Sequence, residues 1–418
     1  MTSAQNRLQP LSGNRWFILL AVSILFAACS PKIRPVATVP PPQPAAPIVK
    51  TQPAKANKPA KPAAPKEYSI AMLLPFGLDH LAPGATYTSE SLREADISLA
   101  YYRGFKMGLD SLTAQGYNYK LQIYDTRGEK AQAHSLAFNP SVRTSDLIIG
   151  PVFPDDMKTF TAAYATPKQP VVSPLAPTSP SAYKNAQVIT MMPPLEYHAW
   201  AAAKYIKDKI NPQKIFILRS GFSDENEYII PFKRAIDSLG KNHIQVISLT
   251  VVHGQLSSLY PQLSAIDKNV FIVPATDQHF LTITLRALDT LRTQYPVSVF
   301  GHPAWINDSF LKADLLQRLD THVTSSDHID FKAPNVVAFM KQYRDTYHTE
   351  ATPFAIKGFD EALYLGAQLS AGSVGNLGSI DFSGLHNEFI FKKKPGLGWV
   401  NTHVDVYKYA NFELKKVE

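Results

Sequence analysis

The stretch YSIAMLLPF, residues 68–76, is a short continuous apolar run. Such a run indicates a strand that is buried on both faces of a parallel sheet. It is followed by DISLAYYRGFKMGLDSL, residues 96–112, whose apolar residues recur at the spacing of a helix. Gly104 and Gly108 lie on nearly the same face of this helix, which would let it approach a sheet closely. The two segments together predict a βα unit.

Strands and helices alternate along the rest of the chain. In the first half, further strands are predicted at 119–126, 145–153 and 169–179. The stretch QVITMMPP, residues 187–194, interrupts the alternation with two prolines, after which it restarts and continues to PVSVFGH at 296–302. This pattern predicts two parallel-sheet lobes of similar size.

The last part of the chain has a different pattern. Two helices are predicted at 334–348 and 354–370. The segment NEFIFKKKPGLGWVNTHVDVYKYANFELKKV then alternates around a Gly turn, which predicts an antiparallel hairpin.

The order of these elements resembles the type I periplasmic binding-protein fold, that of the leucine/isoleucine/valine-binding proteins. The likeness covers about residues 68–418 and rests on six motifs in order: IAMLLPF, YYRGFKMGLDSL, YDT, DLIIGPVF, PVVSPLAPTSP and KGFDEALYLGAQL. The chain is also similar to lipoproteins of Bacteroidetes-like bacteria, of the amino-acid ABC-transporter substrate-binding or receptor-ligand-region type.

The resemblance implies an α/β fold of two doubly wound parallel-sheet lobes, joined by a hinge that the chain crosses three times. The crossings are expected near 193–196, 325–333 and 384–388. The first lobe would then comprise 67–194 and 333–385, and the second lobe 195–332 and 386–418.

The N-terminus has the order of a secretory signal. Arg7 and Arg15 precede WFILLAVSILF, residues 16–26, a run that is short for a membrane span of about 20 residues. The following LFAAC resembles the bacterial lipoprotein signal, although Phe26 stands where Leu is commoner. Residues 1–28 are therefore predicted to be a signal peptide, and Cys29, the only cysteine, is predicted to carry the lipid anchor.

Residues 29–66 are predicted to form a tether. Eleven of the 37 residues from 30 to 66 are Pro, and none is aromatic, so the segment is expected to be extended, with a reach of roughly 110 Å. Residues 1–66 hold nine basic and no acidic side chains, which leaves 33 basic and 34 acidic residues in the rest. The net charge of +8 is therefore no argument for a nucleic-acid partner.

Ligands of open α/β sheets bind beyond the carboxyl ends of the strands. The residues predicted to bind a ligand there are, in lobe order, Phe76, Gly77, Gly150, Ser173, Thr178, Ser220, Thr276, Asp277, His302 and Trp305. Hydroxyls and free backbone N–H groups could hold a carboxylate, and Asp277 could pair with an amine.

One motif departs from the family. Relatives that bind amino acids often have Ser or Thr after IGP, whereas this chain continues as IGPVFPDD, with Pro154, Asp155 and Asp156. Two acids would repel a ligand carboxylate at this loop. The acidic stretch SDENEY, residues 223–228, would either attract a cationic ligand or form a solvated helix start.

The sequence predicts a protein that is not an enzyme and that has no cofactor or metal. SAYK at 181–184 matches Ser-x-x-Lys but lacks the partner motifs of penicillin-recognising acylases. The predicted function is a periplasm-facing, membrane-anchored lipoprotein, in the outer rather than the inner membrane, that binds a small amino acid-like or peptide-like ligand for a permease or sensor. The alternative is a non-transport scaffold that regulates a peptidoglycan synthase.

Overall fold

The computed structural model describes residues 66–81, 84, 86–164, 169–241, 243–379 and 382–418. The predicted signal peptide, Cys29 and almost all of the tether lie outside these residues. The described residues form one compact unit. None of the helices in the described part of the chain has the length and apolar character that crossing a membrane requires.

The described residues form sixteen strands. In chain order they are β1 (Glu67–Leu74), β2 (Asn118–Asp125), β3 (Leu147–Ile149), β4 (Val171–Ser173), β5 (Val188–Thr190), β6 (Lys214–Arg219), β7 (Gln245–Thr250), β8 (Asn269–Val273), β9 (Val297–Gly301), β10 (His322–Ser325), β11 (Phe382–Ser383), β12 (Glu388–Phe389), β13 (Phe391–Lys393), β14 (Trp399–Asn401), β15 (Asp405–Ala410) and β16 (Glu413–Lys416).

The same residues form ten α-helices, besides short 3₁₀ turns and a π-helical end at Ile206–Ile210. In chain order the helices are α1 (Ser89–Thr113), α2 (Lys130–Leu136), α3 (Pro140–Arg143), α4 (Pro154–Ala163), α5 (Leu195–Tyr205), α6 (Asn226–Gly240), α7 (Gln278–Leu291), α8 (Ala313–Arg318), α9 (Pro334–Tyr347) and α10 (Pro353–Ser370).

Two seven-stranded sheets organise these elements. The first has the order β13-β14-β5-β4-β3-β1-β2, and the second has the order β16-β15-β10-β9-β8-β6-β7. The strands in the middle of each sheet are parallel and buried; every residue of β8 and β9, for example, is inaccessible to solvent or nearly so. This burial explains why the sequences of these strands are almost continuously apolar. The predicted fold of two parallel-sheet lobes is confirmed.

The chain crosses between the lobes three times. It leaves the first sheet after β5, since α5 packs in the core of the second lobe, and it returns after β10, since α9 and α10 pack on α1. The third crossing lies between β14 and β15, so the prediction near 384–388 is wrong. Trp399 of β14 pairs with Ile189 of β5, so the first lobe extends to Asn401.

The C-terminal segment forms two hairpins instead of the one that was predicted. β13 and β14 pair with each other in the first sheet, and β15 and β16 pair with each other in the second. Alternating residues predict a strand but not the sheet that it joins, which depends on the neighbouring edge strand.

The close approach predicted for Gly104 and Gly108 is made to a helix and not to a sheet. A Cβ on Gly104 would overlap the carbonyl oxygen of Ala355 in α10, and a Cβ on Gly358 would overlap the carbonyl oxygen of Tyr101. The backbones of α1 and α10 therefore touch, and only glycine fits at these positions.

Candidate ligand-binding cleft

The carboxyl edges of the two sheets lie beside the hinge. The three crossings leave from the carboxyl ends of β5, β10 and β14, so these edges are the ones that the hinge brings together. All ten predicted ligand residues lie at or within five residues of a strand end on these edges, and the farthest is Thr178, five residues beyond β4.

In the first lobe, the backbone N–H groups of the loop after β1 already have a carboxylate partner. Phe76, Gly77 and Leu78 donate to the carboxylate oxygens of Asp125 at 2.9, 3.1 and 2.7 Å. The N–H of Arg127 also donates to Asp125, at 2.9 Å. The expectation that the N–H groups of Phe76 and Gly77 are free for a ligand carboxylate is therefore wrong, because the end of β2 supplies the anion.

The second lobe repeats this arrangement after β6. The N–H and the hydroxyl of Ser220 donate to Oε1 of Glu225 at 2.9 and 2.8 Å. Glu225 is 4% exposed, so it is a fixed part of the loop. Asp277 is exposed, and its side chain accepts the N–H of Phe280 at 2.7 Å as the N-cap of α7, beside exposed Thr276.

The N-terminus of α4 holds the two acids of IGPVFPDD. Asp155 lies 2.8 Å from Nζ of Lys130, and the hydrogen bond to this ammonium lowers the pKa of Asp155. Asp156 is 4% exposed, its Oδ2 has no hydrogen-bond partner among the described residues, and burial raises its pKa. Carboxylates thus occupy the helix end that would otherwise attract an anion.

Three predicted ligand residues are held inside the lobes. Gly150 adopts φ +89°, and a Cβ there would overlap the carbonyl oxygen of Leu73. Ser173 is fully buried, with its hydroxyl 3.4 Å from that of Tyr183. Trp305 is 1% exposed and donates its indole N–H to the carbonyl of Ala275 at 2.9 Å. The contacts of these three residues are made inside the protein, where they support the loops beside the cleft.

His302 is partly buried and accepts the N–H of Ala304 through Nδ1 at 3.1 Å. Burial lowers its pKa to about 4, with only a partial opposing effect from Asp224, so the ring is neutral at pH 7. Its ring lies 6.0 Å from that of Tyr228, whose buried hydroxyl has no hydrogen-bond partner in the described part of the chain. His198 is similar: burial lowers its pKa to about 4, and Nδ1 lies 3.1 Å from the hydroxyl of Thr324.

Sequence reasoning did not single out His198 or Tyr228 as site residues. His198 lies on a helix among apolar residues, and Tyr228 ends the acidic stretch 223–228 at the start of α6. Neither pattern distinguishes a polar side chain near a cleft from one in an ordinary core or helix start. Thr178 is partly exposed, and so is Phe76, whose ring meets that of Tyr102 edge-on at 6.4 Å.

Ion pairs and hydrogen bonds connect each of the three crossings to neighbouring elements. The sequence did not predict these contacts. At the first crossing, Glu196 pairs with Lys394 of the β13–β14 turn at 2.5 Å. At the second, Asp327 pairs with Lys357 of α10 at 2.6 Å, and Lys357 is 8% exposed. At the third, His403 lies 3.2 Å from Oδ1 of Asp405 through Nε2 and 3.3 Å from Oδ1 of Asn387 through Nδ1. The crossing segments are therefore cross-linked to neighbouring elements.

Two α/β lobes with this strand order, joined by three crossings at their carboxyl edges, define the type I periplasmic binding-protein fold. Solved structures with the same fold bear this out. A putative branched-chain amino acid ABC transporter protein from Rhodospirillum rubrum superposes with a TM-score of 0.61 at 13% identity, covering 84% of this chain and 100% of that chain.

Two further structures have the same coverage of both chains. An ABC transporter substrate-binding protein from Desulfitobacterium hafniense, in complex with Leu, gives a TM-score of 0.54 at 16% identity. The C-domain of LpoA (YraM) from Haemophilus influenzae, a regulator of PBP1A, gives 0.56 at 12% identity. No protein-family model and no curated protein sequence matches the chain. At these identities the likeness establishes the fold.

Proposed function

We propose that residues 67–418 form a solute-binding receptor that holds a small polar ligand between the carboxyl edges of its two lobes. The observation that supports this proposal is that all three crossings leave from the carboxyl edges of the two sheets; we place Thr178 on one side of the cleft and Thr276, Asp277 and His302 on the other. Structural neighbours that are ABC transporter substrate-binding proteins, one of them in complex with Leu, support an amino acid-like or peptide-like ligand and a permease partner.

The ligand is expected to bind through its own hydrogen-bond donors, such as ammonium or amide groups, and not through a carboxylate of its own. Asp125 and Glu225 accept hydrogen bonds from the backbone N–H groups of one loop in each lobe. Asp155 and Asp156 lie in the first turn of α4. A ligand carboxylate would meet these fixed anions, whereas an ammonium or amide group would be attracted to them. A peptide, or an amino acid with a blocked carboxyl group, therefore suits the cleft better than a free amino acid.

We expect Asp277→Asn to weaken binding of an amine ligand by about 10- to 100-fold, because a hydrogen bond to a charged group is lost. Asn caps a helix about as well as Asp, so the melting temperature should hardly change. Leucine, leucinamide and alanyl dipeptides can be compared by thermal shift and titration calorimetry, with leucinamide expected to bind more tightly than leucine.

Asp345→Asn, an exposed change on α9, is the matched control and should bind like the wild type. Tighter binding of leucine than of leucinamide would contradict the inferred ligand chemistry. An Asp277→Asn variant with full affinity would remove Asp277 from the site.

A scaffold that regulates a peptidoglycan synthase is the second candidate. The carboxylates that fill the loops and the ion pairs on the crossings favour it, because both would suit a domain that neither binds an anion nor closes. The fold of the LpoA C-domain adds support. If no compound shifts the melting point while the purified chain stimulates a peptidoglycan synthase, the scaffold is the function.

We also propose that the chain is exported, cleaved between Ala28 and Cys29, and anchored by lipid on Cys29, facing the periplasm from the outer membrane. Cys29→Ala should abolish lipidation, because the thiol is the acyl acceptor, and leave an uncleaved precursor or a form released from membranes. Fractionation and intact-mass measurement test this. Membrane retention of a processed, unlipidated variant would contradict the anchor.

A further inference from the structure

A cavity of about 960 Å³ lies in the second lobe, between the loop after β9, the second crossing and the β15–β16 hairpin. Its volume is typical of small-molecule sites, which measure about 300–1,000 Å³. Of the ten residues predicted to bind ligand in the cleft, it is lined by Trp305 alone. It is therefore a separate feature from the interlobe cleft.

Aromatic side chains form much of the wall of this cavity. Tyr407 and Tyr409 lie on β15, and the ring of Tyr407 is 4.7 Å from that of His328. Phe331 and Phe412 also line it and are 52% and 67% exposed. Large exposed aromatic side chains on two facing segments suit a ligand with an apolar body, and aromatic faces also attract cations.

Two acids that line the cavity, Asp308 and Asp330, form no ion pair among the described residues. Asp330 is exposed and accepts the backbone N–H of Lys332 at 2.9 Å, so Asp308 is the acid that lacks a partner. Lys332 pairs with Glu413 at 2.8 Å, and Lys416 pairs at 2.8 Å with Asp405, which does not line the cavity. No ion pair among the described residues neutralises Asp308, whose Oδ2 is buried without a hydrogen-bond partner. Burial raises the pKa of Asp308, as expected for a carboxylate that lacks a cation.

The hairpin tip places an aromatic residue where glycine is normally preferred. Asn411 and Phe412 are the two residues between β15 and β16, with φ of 54° and 62°. Two-residue turns with both φ values positive favour Asn-Gly. A bulky side chain in this region costs about 1–3 kcal/mol. Since Phe412 is mostly exposed, burial in this domain does not offset the cost.

We propose that this cavity is a second binding site, for a small organic cation with an apolar body. The ammonium or guanidinium group pairs with Asp308, the body packs against Tyr407 and Tyr409, and Phe412 and Phe331 cover it. Such a ligand supplies the positive charge that Asp308 lacks and buries the two exposed rings.

The test compares three probes of one shape by titration calorimetry on the full chain in detergent: phenethylammonium, phenethyl alcohol and phenylacetate. We expect the cation to bind at least about tenfold more tightly than the alcohol, and the anion not to bind. Asp308→Asn should remove this preference, whereas Asp277→Asn, in the cleft, should not affect it. Equal binding of cation and alcohol, or full affinity in Asp308→Asn, would overturn the proposal.

The hairpin offers a matched pair of variants. Phe412→Gly should weaken phenethylammonium binding about tenfold while leaving or raising the melting temperature, since glycine suits a φ of 62°. Asn411→Gly relaxes the same turn at a residue that does not line the cavity, and should leave binding unchanged. If both variants bind like the wild type, or if phenethylammonium, benzamidine and agmatine all fail to bind at about 10 mM, there is no such site.

Discussion

Gly104→Val should prevent the domain from folding, and Gly104→Ala should lower its free energy of unfolding by about 3 kcal/mol or more. The reason is the contact between α1 and α10, where a Cβ on Gly104 would overlap the backbone carbonyl of Ala355. Backbone atoms cannot move aside as a flexible side chain can, so the two helices must separate. Urea unfolding followed by far-UV circular dichroism measures the loss.

Gly375→Ala is the control for this prediction, because a Cβ there has nothing within 4 Å. Its free energy of unfolding should stay within about 0.5 kcal/mol of the wild type. Gly358→Ala should behave like Gly104→Ala, since it meets the carbonyl of Tyr101 across the same contact. Equal midpoints for Gly104→Ala and Gly375→Ala would show that the helices do not pack as described.

Acidification should destabilise the domain, and His322 should account for about 2 kcal/mol of the loss between pH 7.5 and pH 5. His322 is 2% exposed and stacks on Phe300 at 4.7 Å. Burial lowers its pKa to about 4, with Asp320 opposing and Lys408 and Lys268 adding to the shift. Its folded pKa lies below the unfolded value, so the unfolded state binds more protons, and stability falls as the pH drops from about 6.5 towards 4.

His322→Phe keeps a ring on Phe300 and removes the titration. Denaturant unfolding of both proteins across pH 7.5–5 should show the wild type losing about 2 kcal/mol more than the variant. His198 and His302, whose pKa values burial also lowers to about 4, act in the same direction in both proteins and cancel in the comparison. Parallel curves would mean that His322 is not buried as a neutral ring.

The order of the predicted elements was enough for the fold class, and the family resemblance that this order carries placed the first two crossings. Residues 70–74 are apolar, and residues 297–301 are apolar apart from Ser298, because strands in the middle of a parallel sheet are buried on both faces. The break at 187–194 carries two prolines because the strand ends there and the chain leaves the sheet. Such local patterns report which residues are buried, and the order of elements is enough to define two lobes.

Only the tertiary structure decided what the cleft offers to a ligand. Asp125 lies 49 residues from Phe76 in sequence, yet its carboxylate accepts hydrogen bonds from the backbone N–H groups of the loop that contains Phe76. Lys357 and Asp327 pair across 30 residues, and Trp399 joins a strand that ends more than 200 residues earlier. Each of these contacts depends on which loops and edges the packed lobes bring together, and periodicity along the chain carries no information about partners so distant.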